Sequence, residues 1–271
     1  MKTMICFIFV SLTFSLDAKN LDLKNVSNGS NWITHMVFDS MGSSEIGIFI
    51  QEMYENIPEV KSIILKVQEK YGDGLLRISN FTLCGTREKH KGIGILEGWG
   101  DASLVNRFAQ SKGSIESLKM GKNIIFSSHK GRRPMAFTAL KNWKMIFGPD
   151  QDYVSEGIFL AKGEGNGSPG HPILNSLNGL LADPGFLLFA NVKGAMKVAD
   201  LDVRVHFMVE KVDAVSVVVG DHDGGLKIIS LVQTDSIESS EPMGNMIRGG
   251  LAMMDMKISN NPDINKLFKG Y

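Results

Sequence analysis

Two apolar hairpin patterns, one in each half of the chain, constrain its fold more than any other feature. Residues 75–100 read LLRISNFTLCG, TREKHKG and IGILEGWG, so that two apolar runs flank a charged turn. Residues 213–234 have the same arrangement, with DAVSVVVG, the turn DHDG and GLKIISLVQT. Because alternating apolar and polar residues are typical of half-buried strands, both segments predict antiparallel β-hairpins.

The similarity of these hairpins indicates an internal duplication. In both, an apolar strand ends in glycine, and a polar turn, a second strand, an aspartate and a helix follow. Gly85 then corresponds to Gly220, and Gly92 corresponds to Gly225. The predicted fold class is α+β, with mostly antiparallel sheets covered by helices on one face. Two related halves each have the order strand, helix, strand, strand, helix, and the first half has an inserted β-meander.

Composition and turn residues suggest boundaries for these halves. GEGNGSPGHP is rich in glycine, proline and small polar residues, as expected of a linker. The predicted segments are a signal peptide at 1–18, a flexible tether at 19–31, the first half at 32–163, the Gly/Pro linker at 164–172, the second half at 173–260 and a C-terminal tail at 261–271.

The N-terminus has the features of a secretory signal peptide. Lys2 precedes an apolar run from Met4 to Phe14, and the small residue Ala18 follows. This run is too short to cross a bilayer as a helix, and no integral membrane segment is expected once it is removed. The sequence therefore predicts an exported protein, periplasmic or extracellular.

Charge and cysteine content exclude several classes of protein. Lys+Arg and Asp+Glu both total 29, so no overall positive field favours nucleic acid, and no nucleic-acid partner is expected. The basic cluster KGRRP at 130–134 is interpreted as a solvated hairpin loop. After removal of the signal peptide only Cys84 remains, which excludes an internal disulfide and predicts a buried structural thiol.

Two motifs suggest chemistry without meeting its requirements. Asp221, His222 and Asp223 have oxygen and nitrogen ligands that suit zinc or manganese, but three adjacent side chains converge poorly on one ion. We favour a tight hairpin turn, which aspartate and glycine allow. Ser168 and His171 resemble a hydrolase nucleophile motif, but a helical pattern precedes them where the motif requires a strand. We expect no catalytic residue, metal or cofactor.

Helical periodicity places several further elements. Helices are predicted after Ser43 and after Pro58. Another is predicted after the capping residue Asp150, with Val154, Ile158 and Ala161 on one face. Residues 199–212 fit either a strand or a helix, and the alignment of the halves favours a helix. Ser240 is the expected cap of a last helix whose buried stripe is Met243, Met246, Ile247, Gly250 and Met254. An adaptable partner-binding groove is the alternative role of this Met-rich segment, which also contains Met253 and Met256.

The segments LLRISNFTLCGTREKHKGIGILEGWGD, NIIFSSH and AFTALKNWKMIFGPDQDYVSEGI, together with the second hairpin, resemble a loosely defined family of exported bacterial proteins without an established activity. The resemblance covers about residues 33–255. It implies a helix starting in the FGPDQDYV segment, and its motifs supply no catalytic residue.

Two hypotheses of function remain. The first is a non-enzymatic binding or structural component of the cell envelope, which contacts an unknown protein or envelope ligand through its sheet or its Met-rich helix. The second is an extracytoplasmic hydrolase whose site is assembled from dispersed residues.

Overall fold

A computed structural model of the chain describes most of the two predicted hairpins and their surroundings. The described residues are 21–38, 77–86, 88, 91–99, 103, 105–106, 109, 115–128, 134–141, 143–168, 170–177, 181, 183–192, 211–222 and 225–259. The predicted signal peptide, the helices predicted after Ser43 and Pro58, and residues 199–210 of the ambiguous segment lie outside them. Of the basic cluster, Pro134 alone is described.

The described elements are mainly strands. The strands are β1 (Trp32–Val37), β2 (Arg77–Gly85), β3 (Gly92–Trp99), β4 (Ile115–Met120), β5 (Asn123–Ser128), β6 (Met135–Ala139), β7 (Lys144–Gly148), β8 (Asp183–Asn191), β9 (Val212–His222) and β10 (Gly225–Thr234). The helices are a 3-10 helix (Leu23–Asn25), α1 (Gln151–Ala161), α2 (Pro172–Leu177) and α3 (Ile237–Ser259). The described residues between 103 and 109 are also helical.

All ten strands belong to one sheet, in the order β10-β9-β8-β1-β2-β3-β7-β6-β5-β4. Every neighbouring pair is antiparallel. The strands of the first and second predicted halves meet where β1 pairs with β8. In this pairing Trp32 lies opposite Ala190 and Met36 lies opposite Phe186. Strands from both ends of the chain therefore form a continuous sheet.

The predicted fold class, with two halves whose helices each cover their own sheet, is wrong. One core runs through the sheet and contains Ile33 and Ile93 together with Ala214 and Val218. The error arose because strand periodicity shows which residues face a core and does not show which strands pair. The pairing of β1 with β8 joins distant parts of the chain, and β4 was not predicted at all.

Helix α1 covers the central strands on one face of the sheet. It starts as predicted, because the Asp150 carboxylate accepts hydrogen bonds from the backbone N–H groups of Asp152 and Tyr153 at 3.0 and 3.1 Å. Its buried side includes Val154 and Ile158, both on the predicted apolar stripe. A glycine at position 157 lets the helix approach closely, since an added Cβ would lie 2.5 Å from the Ile146 side chain.

Glycines on the opposite face make room for two aromatic rings. Gly85 and Gly92 are direct partners in the β2–β3 ladder, and an added Cβ at Gly85 would lie 2.5 Å from the Trp32 ring. At Gly94 an added Cβ would collide with the ring of Phe147. The glycines of the IGIG pattern are thus required by close packing against aromatic side chains.

A second apolar cluster lies on the same face as these rings, towards β4. It combines Phe126 and Phe137, whose ring centroids are 5.5 Å apart, with Val105 and Ala109. The short helical segment around residue 105 therefore packs on the sheet through its apolar residues.

The segment predicted as a tether contacts the segment predicted as a linker. Val26 is completely buried, and the backbone N–H of Ser168 donates to the carbonyl oxygens of Leu23 and Val26 at 3.1 and 2.8 Å. The Ser27 hydroxyl also donates to Glu156 Oε1 on α1 at 2.5 Å. These contacts attach residues 22–27 to the covered face of the sheet.

Candidate binding surfaces

The motif that suggested metal ligands lies at the end of the β9–β10 hairpin. Asp221 and His222 are the last two residues of β9, and His222 pairs with Gly225. β10 starts at Gly225, so two sequence positions, which lie outside the described residues, separate the two strands. Adjacent strand positions belong to opposite faces of a sheet, so positions 221 and 222 do not converge. The described residues contain no group of three or more His, Cys, Asp or Glu arranged for a metal ion.

The register of the two hairpins differs from the alignment of their glycines. Gly85 pairs with Gly92, whereas Gly220 pairs with Lys227, and Gly225 pairs with His222. The strand β9 continues for two residues beyond Gly220, so the second hairpin is longer and has a shorter loop. The glycines of the first hairpin are partners and accommodate Trp32, whereas Gly220 and Gly225 are not partners of each other.

Ser168 and His171 are both engaged in local turns. The Ser168 hydroxyl oxygen accepts a hydrogen bond from the backbone N–H of Gly170 at 3.2 Å. His171 Nδ1 accepts from the backbone N–H of Ile173 at 3.4 Å, at the start of α2, and its ring contacts Phe189. Both side chains thus satisfy backbone groups where the chain enters α2.

Cys84 lies in the core, with 1% of its surface exposed. Burial raises the pKa of its thiol, which favours the neutral form. Since the thiolate is the reactive species, this environment makes Cys84 a poor nucleophile.

The buried polar residues of the central strands have partners within the sheet. His35 Nδ1 lies 2.9 Å from Thr82 Oγ1, and these two residues are direct partners in the β1–β2 ladder. Glu97 forms an ion pair with Lys144 at 2.5 Å across β3 and β7. Sequence reasoning missed this ion pair, because the two residues are far apart in the chain and become neighbours only through the pairing of β3 with β7.

Helix α3 differs from its prediction in both its start and its burial. It begins at Ile237, and Ser236 Oγ accepts the backbone N–H of Ser239 at 3.3 Å, so Ser236 takes the role predicted for Ser240. A hydrogen bond with Ser239 lowers the pKa of the neighbouring Asp235 carboxyl. Pro242 consequently lies inside the helix.

The predicted buried stripe of α3 is largely exposed. Within the predicted stripe, Met246 and Ile247 are each 39% exposed and Gly250 is also exposed, whereas Met243 is partly buried. Two further methionines outside the stripe, Met253 and Met256, are each 61% exposed. An added Cβ at Gly249 or Gly250 would meet nothing within 4 Å, apart from the helix itself and its chain neighbours. The prediction failed because a helical stripe identifies an apolar face and does not identify what covers it.

Gly249, Gly250, Met253 and Met256 follow Met246 by three, four, seven and ten residues, and these positions share one side of α3. We call this set the methionine face. Arg248, which donates to Asn245 Oδ1 at 2.6 Å, lies on the other side of the helix. Flexible, polarisable methionine side chains around two glycines form a surface that adapts to an apolar partner.

The strands next to α3 carry a second partly exposed apolar surface. Ile228, Val219 and Phe186 are consecutive partners across β10, β9 and β8 on one face of the sheet. Ile228 at the edge is 54% exposed, and the other two are partly buried. Apolar exposure on the described surface is therefore pronounced at the β10 end of the molecule.

Among the described residues, no helix is both long and apolar enough to cross a membrane. This applies to α3, whose 23 residues include glutamate, arginine, aspartate and lysine.

Comparison with known proteins identifies structural relatives alone. No protein family model matches the chain, and no curated protein matches it. The solved structure of crystal form III of TP0453 has a TM-score of 0.53 at 10% identity, covering 85% of this chain and 86% of that chain. Crystal form I of TP0453 has a TM-score of 0.50 at 10% identity, covering 85% of each chain. At this identity the likeness concerns the fold.

Proposed function

We propose that this chain is a non-enzymatic, exported component of the cell envelope that binds another envelope component through the methionine face of α3. The observation that carries this proposal is the exposure of Met253 and Met256 on a long helix beside the sheet. A continuous exposed apolar surface typically marks an interaction site. The sequence resemblance to exported bacterial proteins without established activity agrees with such a role.

The composition of the methionine face favours a protein partner with an apolar surface. Methionine fits irregular surfaces because its side chain is unbranched and flexible. Gly249 and Gly250 leave open space into which partner side chains can insert. The five residues of the methionine face are uncharged, so their own burial does not require the desolvation of an ion. Lys257, four residues after Met253, follows them on the same side at the C-terminal end of the helix.

Export is the part of the proposal that rests on the N-terminal sequence. Lys2, the apolar run and Ala18 have the order of a signal peptide. Expression in a bacterium with an intact export pathway should give a mature chain that begins close to residue 19. Intact-mass measurement of the extracytoplasmic fraction tests this, and an uncleaved chain retained in the cytoplasm would contradict it.

Partner binding is tested by affinity capture of the tagged, exported chain from envelope extracts of its source organism. A variant with Met246→Gln, Met253→Gln and Met256→Gln keeps side-chain length and removes apolar character. We expect a defined set of proteins to be retained by the wild-type chain and lost from this variant.

The matched control replaces exposed apolar residues elsewhere, at Leu118 and Met135, which are 47% and 46% exposed. Leu118→Gln and Met135→Gln should leave capture unchanged. Equal capture by all three proteins, or no capture by any, would contradict binding through the methionine face.

A further inference from the structure

The two edges of the sheet have different protection against pairing with another strand. At one edge, β4 has six residues and carries Glu116 and Lys119, both exposed. At the other edge, β10 has ten residues, GLKIISLVQT, with Lys227 as its one charged residue. Short length and charged side chains are the usual means of blocking edge-to-edge association. β4 has both, whereas β10 is longer and carries one charge.

We propose that β10 pairs antiparallel with β10 of a second copy of this chain, about a two-fold axis at Ser230. The resulting dimer has a sheet that continues from one copy into the other. Within the described sheet β10 is the terminal strand, and the pairing found for it is with β9. Ile228 and Ser230 are exposed, so a strand laid beside β10 would cover surface that is open in the single chain.

The hairpin geometry determines which backbone groups of β10 point outwards. The backbone N–H of Val192 donates to the Asp213 carbonyl oxygen at 2.8 Å, so Asp213 bonds to β8, and the even-numbered residues of β9, including His222, bond to β10. Gly225, the partner of His222, therefore directs its backbone groups towards β9. Alternate residues of an antiparallel strand bond to alternate sides. Counting from Gly225, residues Ile228, Ser230 and Val232 direct their N–H and C=O groups away from β9. These three residues supply the hydrogen bonds of the new ladder.

The pairing about Ser230 matches side chains of the same character. Ile228 lies opposite Val232 of the second copy, and Ser230 lies opposite its own equivalent. Lys227 lies opposite Gln233 of the second copy, so no like charges meet. A two-fold axis at Ile229 would instead place Ile228 opposite a serine and Lys227 opposite a leucine. A two-fold dimer must be self-complementary, and the register about Ser230 meets this requirement without placing like charges opposite each other.

Sedimentation equilibrium of the purified chain over a concentration series tests the dimer. We expect the weight-average mass to rise from that of a monomer towards that of a dimer. Ile228→Lys should raise the dissociation constant at least about tenfold, because each copy then buries a charge opposite Val232. Leu118→Lys, the matched change at the β4 edge, should leave it unchanged.

A cross-link tests the register and does not depend on the effect of Ile228→Lys on folding. In a Cys6→Ser, Cys84→Ala background, Ser230→Cys places two thiols at a pair with Cα atoms about 5.5 Å apart, within disulfide range. Lys227→Cys places them several residues apart. Mild oxidation should yield a covalent dimer from Ser230→Cys and none from Lys227→Cys.

A monomer at every concentration would overturn this proposal, as would a dimer that forms equally with Ile228→Lys or cross-links equally at both cysteines. A dimer abolished by Met253→Gln and retained by Ile228→Lys would place self-association on α3 and also overturn it. Capture of a protein through the methionine face by a monomeric chain would leave the proposed function intact, so the two failures are distinguishable.

Discussion

Apolar side chains are buried in the central strands of the sheet, whereas several are exposed at the β10 end of the molecule. In the centre, Ile146 and Ile158 are buried between β7 and α1, and glycines bring helix and strands together. At the β10 end, Met253 and Ile228 are exposed, and the glycines of α3 face open space. The same residue types therefore stabilise the fold in one region and form a surface in the other.

Truncation of an apolar side chain should show the largest difference in stability loss between these two regions. Ile158→Ala removes a side chain that is 1% exposed and should lower the free energy of unfolding by about 4 kcal/mol. Met253→Ala, on the methionine face, should change it by less than about 0.5 kcal/mol. Urea-induced unfolding followed by circular dichroism measures both. Similar losses for the two variants would show that the methionine face is packed within the isolated chain.

Adding one methyl group to a glycine should have opposite signs in the two regions. Gly94→Ala should lower the free energy of unfolding by about 3 kcal/mol, because its Cβ overlaps the Phe147 ring. Gly249→Ala should raise it by about 0.5 to 1 kcal/mol, since alanine favours the helix and meets no neighbour. The shift in the midpoint of urea unfolding gives the sign directly. Destabilisation by Gly249→Ala would mean that α3 has close contacts at this position.

Removal of a helix cap should lower the free energy of unfolding more for α1, which packs on the sheet, than for α3. Asp150→Ala removes the carboxylate that accepts hydrogen bonds from two backbone N–H groups at the start of α1. It should lower the free energy of unfolding by about 1 kcal/mol. Ser236→Ala removes one backbone contact at 3.3 Å and an exposed hydroxyl contact with Ser239 at the start of α3, and it should have a smaller effect. Thermal unfolding compares the two, and a larger effect of Ser236→Ala would contradict a peripheral role of α3 in stability.

The smallest expected effect is a change in the pH dependence of the free energy of unfolding, which Cys84 should cause. Burial raises the pKa of its thiol in the folded chain, whereas the unfolded thiol titrates at its ordinary pKa, about 8.5. Above that pH the unfolded chain releases a proton that the folded chain retains, so the free energy of unfolding falls as pH rises. Cys84→Ala should reduce this slope, as measured by urea unfolding between about pH 8 and 10. Burial also raises the pKa of Tyr153, but this residue contributes equally to the wild-type chain and to Cys84→Ala. Identical pH slopes for the two proteins would refute the buried neutral thiol.

Local patterns in the sequence predicted local structure well. The Asp150 cap and the buried stripe of α1 depend on residues within a few positions of one another, and the structure contains both. The predicted burial of Cys84 follows from alternation along one strand, and it is confirmed. Such features depend on short-range geometry that the sequence itself specifies.

Features that depend on distant contacts were not predictable in this way. The pairing of β1 with β8, the ion pair between Glu97 and Lys144, and the reason for Gly94 each require the order of strands in the sheet. For α3 the apolar stripe was recognised, and its exposure was not, because the position of a helix relative to the sheet is a tertiary property. Of the methionine face, Met246 and Gly250 belong to the predicted buried stripe, whereas Met253 and Met256 were part of the Met-rich segment for which a partner-binding groove was the alternative interpretation.

Site-specific photo-crosslinking in cells of the source organism tests the central claim most directly. A photoreactive amino acid replaces Met253 on the methionine face or, in the matched control, Arg248 on the other side of α3. We predict a discrete adduct with an envelope component from position 253 and none from position 248. No adduct from position 253, or the same adducts from both positions, would contradict the account.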